Sequence, residues 1–209
     1  ENLQETVDIL KQAFSIADYY RNPVMIAVDG LIGQMMESVD LDHEVELRKT
    51  EAKTWATTGS GERTVITSLF LDPNDLYSLN LRLNKKYQEM IATEQRYELI
   101  NCDDAEVVIV AYGTMARICR SVIEILAKDG IKVGLLRPIT IWPFPEKAFD
   151  KLPKDATVLC AELSMGQMLD DVKIAVNGRN RIEFIGRAGG IVPEPDEIAD
   201  YIKKIVGGK

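Results

Sequence analysis

Histidine is nearly missing from this sequence. His43 stands alone, which excludes any metal site built from several imidazoles and leaves one conventional imidazole base. It lies in the charged stretch Asp40 to Lys49 and reads as a solvated side chain. Cysteine is also scarce. Cys102, Cys119 and Cys160 are odd in number, far apart and set in apolar stretches. Zinc and iron–sulfur sites need clustered ligands, and no cluster occurs. The pattern fits buried thiols in a reducing cytoplasm. No apolar run approaches the ~20 residues of a membrane helix, and no basic segment followed by an apolar one opens the chain. Positive charge is in deficit: 25 Lys and Arg stand against 33 Asp and Glu, a net charge of −8. Nucleic acid and anionic membrane surfaces call for the opposite balance. The initiator methionine is absent too, so the chain is expected to be a piece of something longer.

What remains is a chain of 209 residues, 46% apolar, able to bury a sizeable core without disulfides. Leu3, Val7, Leu10, Phe14 and Ala17 recur at helical spacing and predict a helix over 3–20. Asn22-Pro23 ends it. The apolar run Val24 to Val28, closed by Asp29-Gly30, predicts a strand buried on both faces. Residues 31–95 change character. Glu37 to Glu51 is charge-rich, Gly59-Ser60-Gly61 reads as a loop, and Asp72-Pro73 starts a helix running to about Thr93. This segment reads as a connector.

From residue 105 the pattern turns regular. Apolar strands begin near 107, 132, 157 and 182, about 25 residues apart, with helical patterns between them. Met115, Ile118, Cys119, Val122, Ile125 and Leu126 are expected inward on one helix, Met165, Met168, Leu169, Val172 and Val176 on another. Strand–helix alternation at this spacing predicts an α/β fold: a mostly parallel open sheet with helices on both faces.

Ligands of such sheets bind outside the carboxyl ends of the strands. Four loops qualify. At Tyr112-Gly113-Thr114 a phosphate has a helix start to rest on, or Gly113 makes a tight turn and Thr114 caps the helix. The glycine spacing of a dinucleotide loop or P-loop is lacking. Gly186 to Gly190 either brings amides to an anion or shapes entry to the last helix with Pro193 and Pro195. Glu162 is an acid–base candidate if buried, or a hydrogen-bond partner of a neighbouring loop. Arg137-Pro138-Ile139-Thr140-Ile141-Trp142-Pro143-Phe144-Pro145 cannot be a regular helix. Its aromatics are interface anchors if exposed and core if buried. No nucleophile–base pair or complete active site is visible.

Together, Ala111 to Thr114, Leu136 to Pro145, Ala161 to Met168 and Gly186 to Gly190 resemble the α subunit of 2-oxoacid:ferredoxin oxidoreductases, thiamine-diphosphate enzymes related to transketolase. Leu69 to Pro73 and Asn80 to Leu83 are similar to the 3-methyl-2-oxobutanoate (branched-chain) type. The resemblance spans essentially the whole chain. It implies that residues 1–35 end a pyrimidine-binding domain, 36–100 connect, and 101–209 form a transketolase C-terminal-like domain. It implies oxidative decarboxylation of a branched-chain 2-oxoacid to an acyl-CoA in the intact complex, with thiamine diphosphate as electron sink, coenzyme A as acyl acceptor and ferredoxin as electron acceptor. Partners would be a thiamine-diphosphate-binding β subunit, a γ subunit and a ferredoxin-like subunit. Thiamine diphosphate, magnesium and iron–sulfur clusters would be held outside this chain, and no catalytic, cofactor or metal residue of the family carries over. The expected role is packing against those subunits, through Arg137, Pro138, Trp142, Pro143, Phe144, Pro145, Glu162 and Gln167. The alternatives are the pyruvate or 2-oxoglutarate branch, or a stand-alone nucleotide-binding α/β module.

Overall fold

The computed structural model describes residues 1–57 and 63–208. Gly59-Ser60-Gly61 therefore lies outside the described residues. The chain divides into two compact units. One takes residues 1–2, 28–36 and 93–209, the other 3–27 and 37–92.

The first unit is built on a five-stranded sheet: β1 (Tyr97–Ile100), β2 (Val107–Val110), β3 (Val133–Pro138), β4 (Thr157–Glu162) and β5 (Ile182–Gly186), in the order β1-β3-β2-β4-β5. β2 to β5 run parallel, and β1 pairs with β3 antiparallel at one edge. Helix α3 (Gly113–Lys128) follows β2, α4 (Gln167–Val176) follows β4, and α5 (Pro195–Gly207) closes the unit. The parallel strands are apolar on both sides because both sides are covered. Val107, Ile109, Leu135 and Leu159 face α3 and α5. Their neighbours Val108, Val110, Leu136, Val158 and Cys160 face α4 and a 3-10 turn at Glu146–Lys151. Each fully buried side chain here contributes roughly 1.5–3 kcal/mol of transfer free energy.

Gly134 shows why one strand position has no side chain. A Cβ there would stand 2.8 Å from the Asn101 carbonyl oxygen and 2.9 Å from Cys102 Cα. The turn between β1 and β2 can cross β3 only because that atom is missing.

In the second unit α1 (Leu3–Tyr20) and α2 (Pro73–Thr93) carry long irregular connections. Asp72 is the N-cap of α2: its carboxylate accepts from Asn74 N at 2.7 Å. The polar side of α1 holds the extended segment beyond Glu37. Gln4 and Asp40 exchange two bonds, Lys11 donates to the His43 carbonyl, and Arg48 N donates to Ser15 Oγ. His43 is half exposed, its Nδ1 3.1 Å from Asp8. That bond holds the Asp8 carboxyl below its ordinary value.

Three expectations need correction. Val24 to Val28 is not a strand: among the described residues it pairs with nothing, and Met25 is 91% exposed. Apolar character favours a strand only where ladder partners and two covering layers exist, and this run has neither. Met165 does not point inward. It precedes α4, which starts at Gln167, and is largely exposed. Conversely, β1 falls in the stretch read as connector, yet it is a strand of the sheet.

Candidate functional site

β3 and β4 lie on opposite sides of β2, so the chain reverses its winding between β2 and β4. The crevice outside the carboxyl ends of those strands is where open α/β sheets take ligands. Tyr112-Gly113-Thr114 flanks it from β2, and Glu162 to Gly166 from β4.

The helix start at Thr114 is filled from within the chain. Asp29, 85 residues upstream, accepts from Thr114 N and from Thr114 Oγ1, both at 2.8 Å. It also accepts from Ile32 N at 3.0 Å. Burial acts to raise the Asp29 carboxyl, and the bonds from Ile32 and Thr114 overcome it, so the group sits below its ordinary value. Thr114 is thus a donor to the cap and not the cap itself, which corrects the sequence reading. Gly113 is left-handed (φ 57°), and a Cβ on it would come 2.5 Å from Asp29 Oδ2. Glycine is required there for both reasons.

The second helix start is filled in the same way. Glu162 is 1% exposed. It accepts from Met168 N at 3.1 Å and Leu169 N at 3.2 Å, the first amides of α4, and from the Ser164 hydroxyl. A carboxylate against a helix N-terminus is matched to its partial positive charge. Its loop and helix partners make Glu162 a hydrogen-bond anchor. The Tyr112 phenol feels this group. Burial, and then the nearby Glu162 carboxylate, push its phenol up.

The crossover after β3 is pinned at its start. Ile139 N and Thr140 N donate to the Arg96 carbonyl at 2.9 and 3.2 Å, and Arg96 N donates to Thr140 Oγ1. Arg137 is buried. Its Nε donates to Glu98 at 2.9 Å, Arg120 reaches the same carboxylate at 2.8 Å, and Arg120 also pairs with Glu1. Burial acts to raise the Glu98 carboxyl, but the bonds from Arg120 and Arg137 hold it below the ordinary value. The eight residues proposed for subunit packing are therefore divided. Trp142 and Gln167 are exposed. Arg137, Pro138, Pro143, Phe144, Pro145 and Glu162 are buried within this chain. Phe144 belongs to the core, beside Phe149.

Among the described residues no group of three or more His, Cys, Asp or Glu side chains could hold a metal ion. All three cysteines are buried and free. Burial pushes the Cys102 thiol up to about 11 and the Cys119 thiol up to about 12, and raises that of Cys160 as well. Cluster ligation needs thiolates, and burial disfavours them at all three positions. No described helix is long and apolar enough to cross a membrane.

A family model for the pyruvate:ferredoxin oxidoreductase core domain II matches residues 105–198. The ketoisovalerate oxidoreductase subunit VorB of Methanothermobacter marburgensis is 39% identical over 209 residues, covering 99% of this chain and 59% of its own length. Residues 105–198 belong to the pyruvate:ferredoxin oxidoreductase core domain II family. The 2-oxoglutarate synthase subunit KorA of the same organism is 27% identical, over 100% of this chain and 62% of its own. The chain thus spans about three fifths of the length of these curated relatives. A solved 2-oxoglutarate:ferredoxin oxidoreductase from Magnetococcus marinus, with 2-oxoglutarate, coenzyme A and succinyl-CoA bound, superposes with a TM-score of 0.78 at 18% identity. It covers 98% of this chain and 41% of that one. That likeness establishes the α/β fold. The matched core domain runs from just before β2 into the first turn of α5 and so contains both filled helix starts and the pinned crossover.

Sequence reasoning missed Asp29 and Glu98. Asp29-Gly30 reads locally as a turn, and nothing in the spacing announces a partner 85 residues away. Glu98 lies in the unrecognised edge strand. The available signal was Arg137, a charged residue in an otherwise apolar core strand, which calls for a carboxylate partner.

Proposed function

We propose that this chain is part of the α-type subunit of a thiamine-diphosphate-dependent 2-oxoacid:ferredoxin oxidoreductase acting on branched-chain 2-oxoacids. The intact complex would convert them oxidatively to acyl-CoA, with loss of carbon dioxide. The observation that carries this reading is the 39% identity to VorB over nearly the whole chain, against 27% to KorA. The contribution of this chain is a rigid α/β domain that supports subunit packing. Its own polar groups do structural work: Asp29 and Glu162 hold the two helix starts, and Arg137 and Arg120 hold Glu98. Thiamine diphosphate, magnesium and the iron–sulfur clusters are assigned to other parts of the complex, with ferredoxin as electron acceptor. A cytoplasmic location follows from that chemistry.

The stand-alone nucleotide-binding module is disfavoured by one feature. Both helix starts beside the switch point are filled by the chain's own carboxylates, and a phosphate would meet negative charge there.

The test is purification of the complex containing this chain, followed by dye-linked oxidation of 2-oxoacids in the presence of coenzyme A. Preference for 3-methyl-2-oxobutanoate supports the branched-chain reading. Preference for 2-oxoglutarate or pyruvate replaces the substrate while keeping the family. Absence of 2-oxoacid oxidation in a complex with all subunits present overturns the proposal.

A further inference from the structure

The second unit contains a segment fastened without burial. Residues 37–48 have no buried side chain, and Leu41 and Leu47 are exposed. Polar side chains of α1 meet this segment one after another. Gln4 exchanges two bonds with the Asp40 backbone. Asp8 faces His43. Lys11 donates to the carbonyls of Leu41 and His43, and Gln12 to the carbonyl of Glu46. The Ser15 hydroxyl accepts from Arg48 N at 3.2 Å. Positions 4, 8, 11, 12 and 15 share one face of a helix, so the segment runs along α1 as a strap. A strap held by exposed polar bonds belongs to the least stable part of a fold and opens locally.

One of its fastenings titrates near neutrality. His43 is the only histidine of the chain, and the second unit holds no cysteine. No other side chain of that unit ordinarily changes charge between pH 5 and 8. His43 Nδ1 stands 3.1 Å from both oxygens of Asp8, midway along the strap. The other charges beside it are Lys11 of α1, whose ammonium is taken up by the two strap carbonyls, and Asp40, Asp42 and Glu44 of the strap. A protonated imidazole meets an excess of carboxylates there, while a neutral one keeps at most its hydrogen bond. The bond from His43 is also the main reason that the Asp8 carboxyl lies below its ordinary value.

We infer that residues 37–48 are a pH-sensitive strap, latched to α1 by the His43–Asp8 pair below neutral pH and loosened as the imidazole loses its proton. Only the closed strap holds Asp8 against the imidazole, so protonation favours closure. The latch is complete below the ordinary imidazole value of about 6.5 and weakens as pH rises through and above it. An exposed pair of this kind moves an equilibrium by about two- to fivefold.

Trypsin can cut after Arg48 only when the strap leaves α1, and such cleavage follows the open population. The test is the rate of that cut in the full chain at about pH 6 and about pH 8, either side of the imidazole range. Each rate is divided by that on a free peptide of residues 42–54, which cancels the pH dependence of the protease. Mass spectrometry identifies the cut, and circular dichroism checks that each variant folds. The normalised rate should rise about two- to fivefold in the wild type and stay level in His43→Gln and in Asp8→Asn. Hydrogen exchange of the Asp40 and Arg48 amides, corrected for intrinsic rates, should follow the same profile, with no step in β2 and β4. A level rate in the wild type overturns the latch, as does an equal rise in His43→Gln. A matching step in β2 and β4 would mean loosening of the whole chain and overturns it too.

Discussion

Replacing Glu162 by alanine should unfold the sheet-bearing unit at clearly lower denaturant. The carboxylate is 1% exposed and takes Met168 N, Leu169 N and the Ser164 hydroxyl. Without it the Met168 amide, fully buried, loses its acceptor at a cost of about 1–3 kcal/mol. The Leu169 amide is only half-buried and contributes less, about 1 kcal/mol. The lost charge at the helix start adds about 0.3–1 kcal/mol. The sum is about 2–5 kcal/mol. Ser164 can turn its hydroxyl elsewhere and is left out. For a chain of this size each kcal/mol lowers the melting temperature by about 2–4 °C, so a fall of roughly 4–20 °C is expected. Urea unfolding followed by circular dichroism measures the total. Hydrogen exchange locates it: amides of 167–170 should lose protection before those of β2 and β4. Glu162→Gln keeps the volume and one acceptor oxygen and should lose about half as much. If Glu162→Ala stays folded and loses under about 1 kcal/mol, Glu162 does not anchor α4 and the account of this strand end fails.

Gly134→Ala should destabilise by about 1–3 kcal/mol in urea unfolding, because the new methyl meets backbone atoms of Asn101 and Cys102; a neutral outcome would mean that the turn gives way freely. Ile109→Ala, fully buried between the sheet and its helices, should cost about 2–5 kcal/mol by the same measurement. The Asp29 carboxyl is held below its ordinary value, so its stabilising contribution is complete above the unfolded carboxylate pKa of about 3.9. It should be lost as pH falls through the lowered folded value, and Asp29→Asn should remove this part of the acid dependence of unfolding. The three thiols should resist a thiol-specific reagent at pH 8 in the folded chain and react fully in denaturant, since burial disfavours their thiolates. Prompt labelling of a thiol in the native protein would contradict that burial.

Much of the fold is legible in the sequence because parallel strands and their helices repeat at a spacing set by geometry. The starts read near 107, 132, 157 and 182 lie within one residue of the observed starts of β2 to β5. The N-cap at Asp72 is equally local, fixed by residues a few positions apart. Val24 to Val28 reads as a strand because apolar content reports burial potential without reporting the partners that realise it. Tyr97 to Ile100 escapes notice for the opposite reason: a four-residue edge strand with a glutamate in it has almost no periodic signal, and pairing with β3 makes it a strand.

The sequence by itself determined the α/β class and the order of strands and helices in the core domain, since both follow from composition and short-range periodicity. Tertiary structure alone decided the site. It brought Asp29 across 85 residues to the start of α3, turned Glu162 onto the start of α4, set Glu98 against Arg120 and Arg137, buried Phe144 and left Trp142 exposed. The physical reason is the range of the interactions. Spacing along the chain encodes which face of a helix or strand is apolar, while a carboxylate's partner is whatever donor the packed chain happens to place within about 3 Å of it.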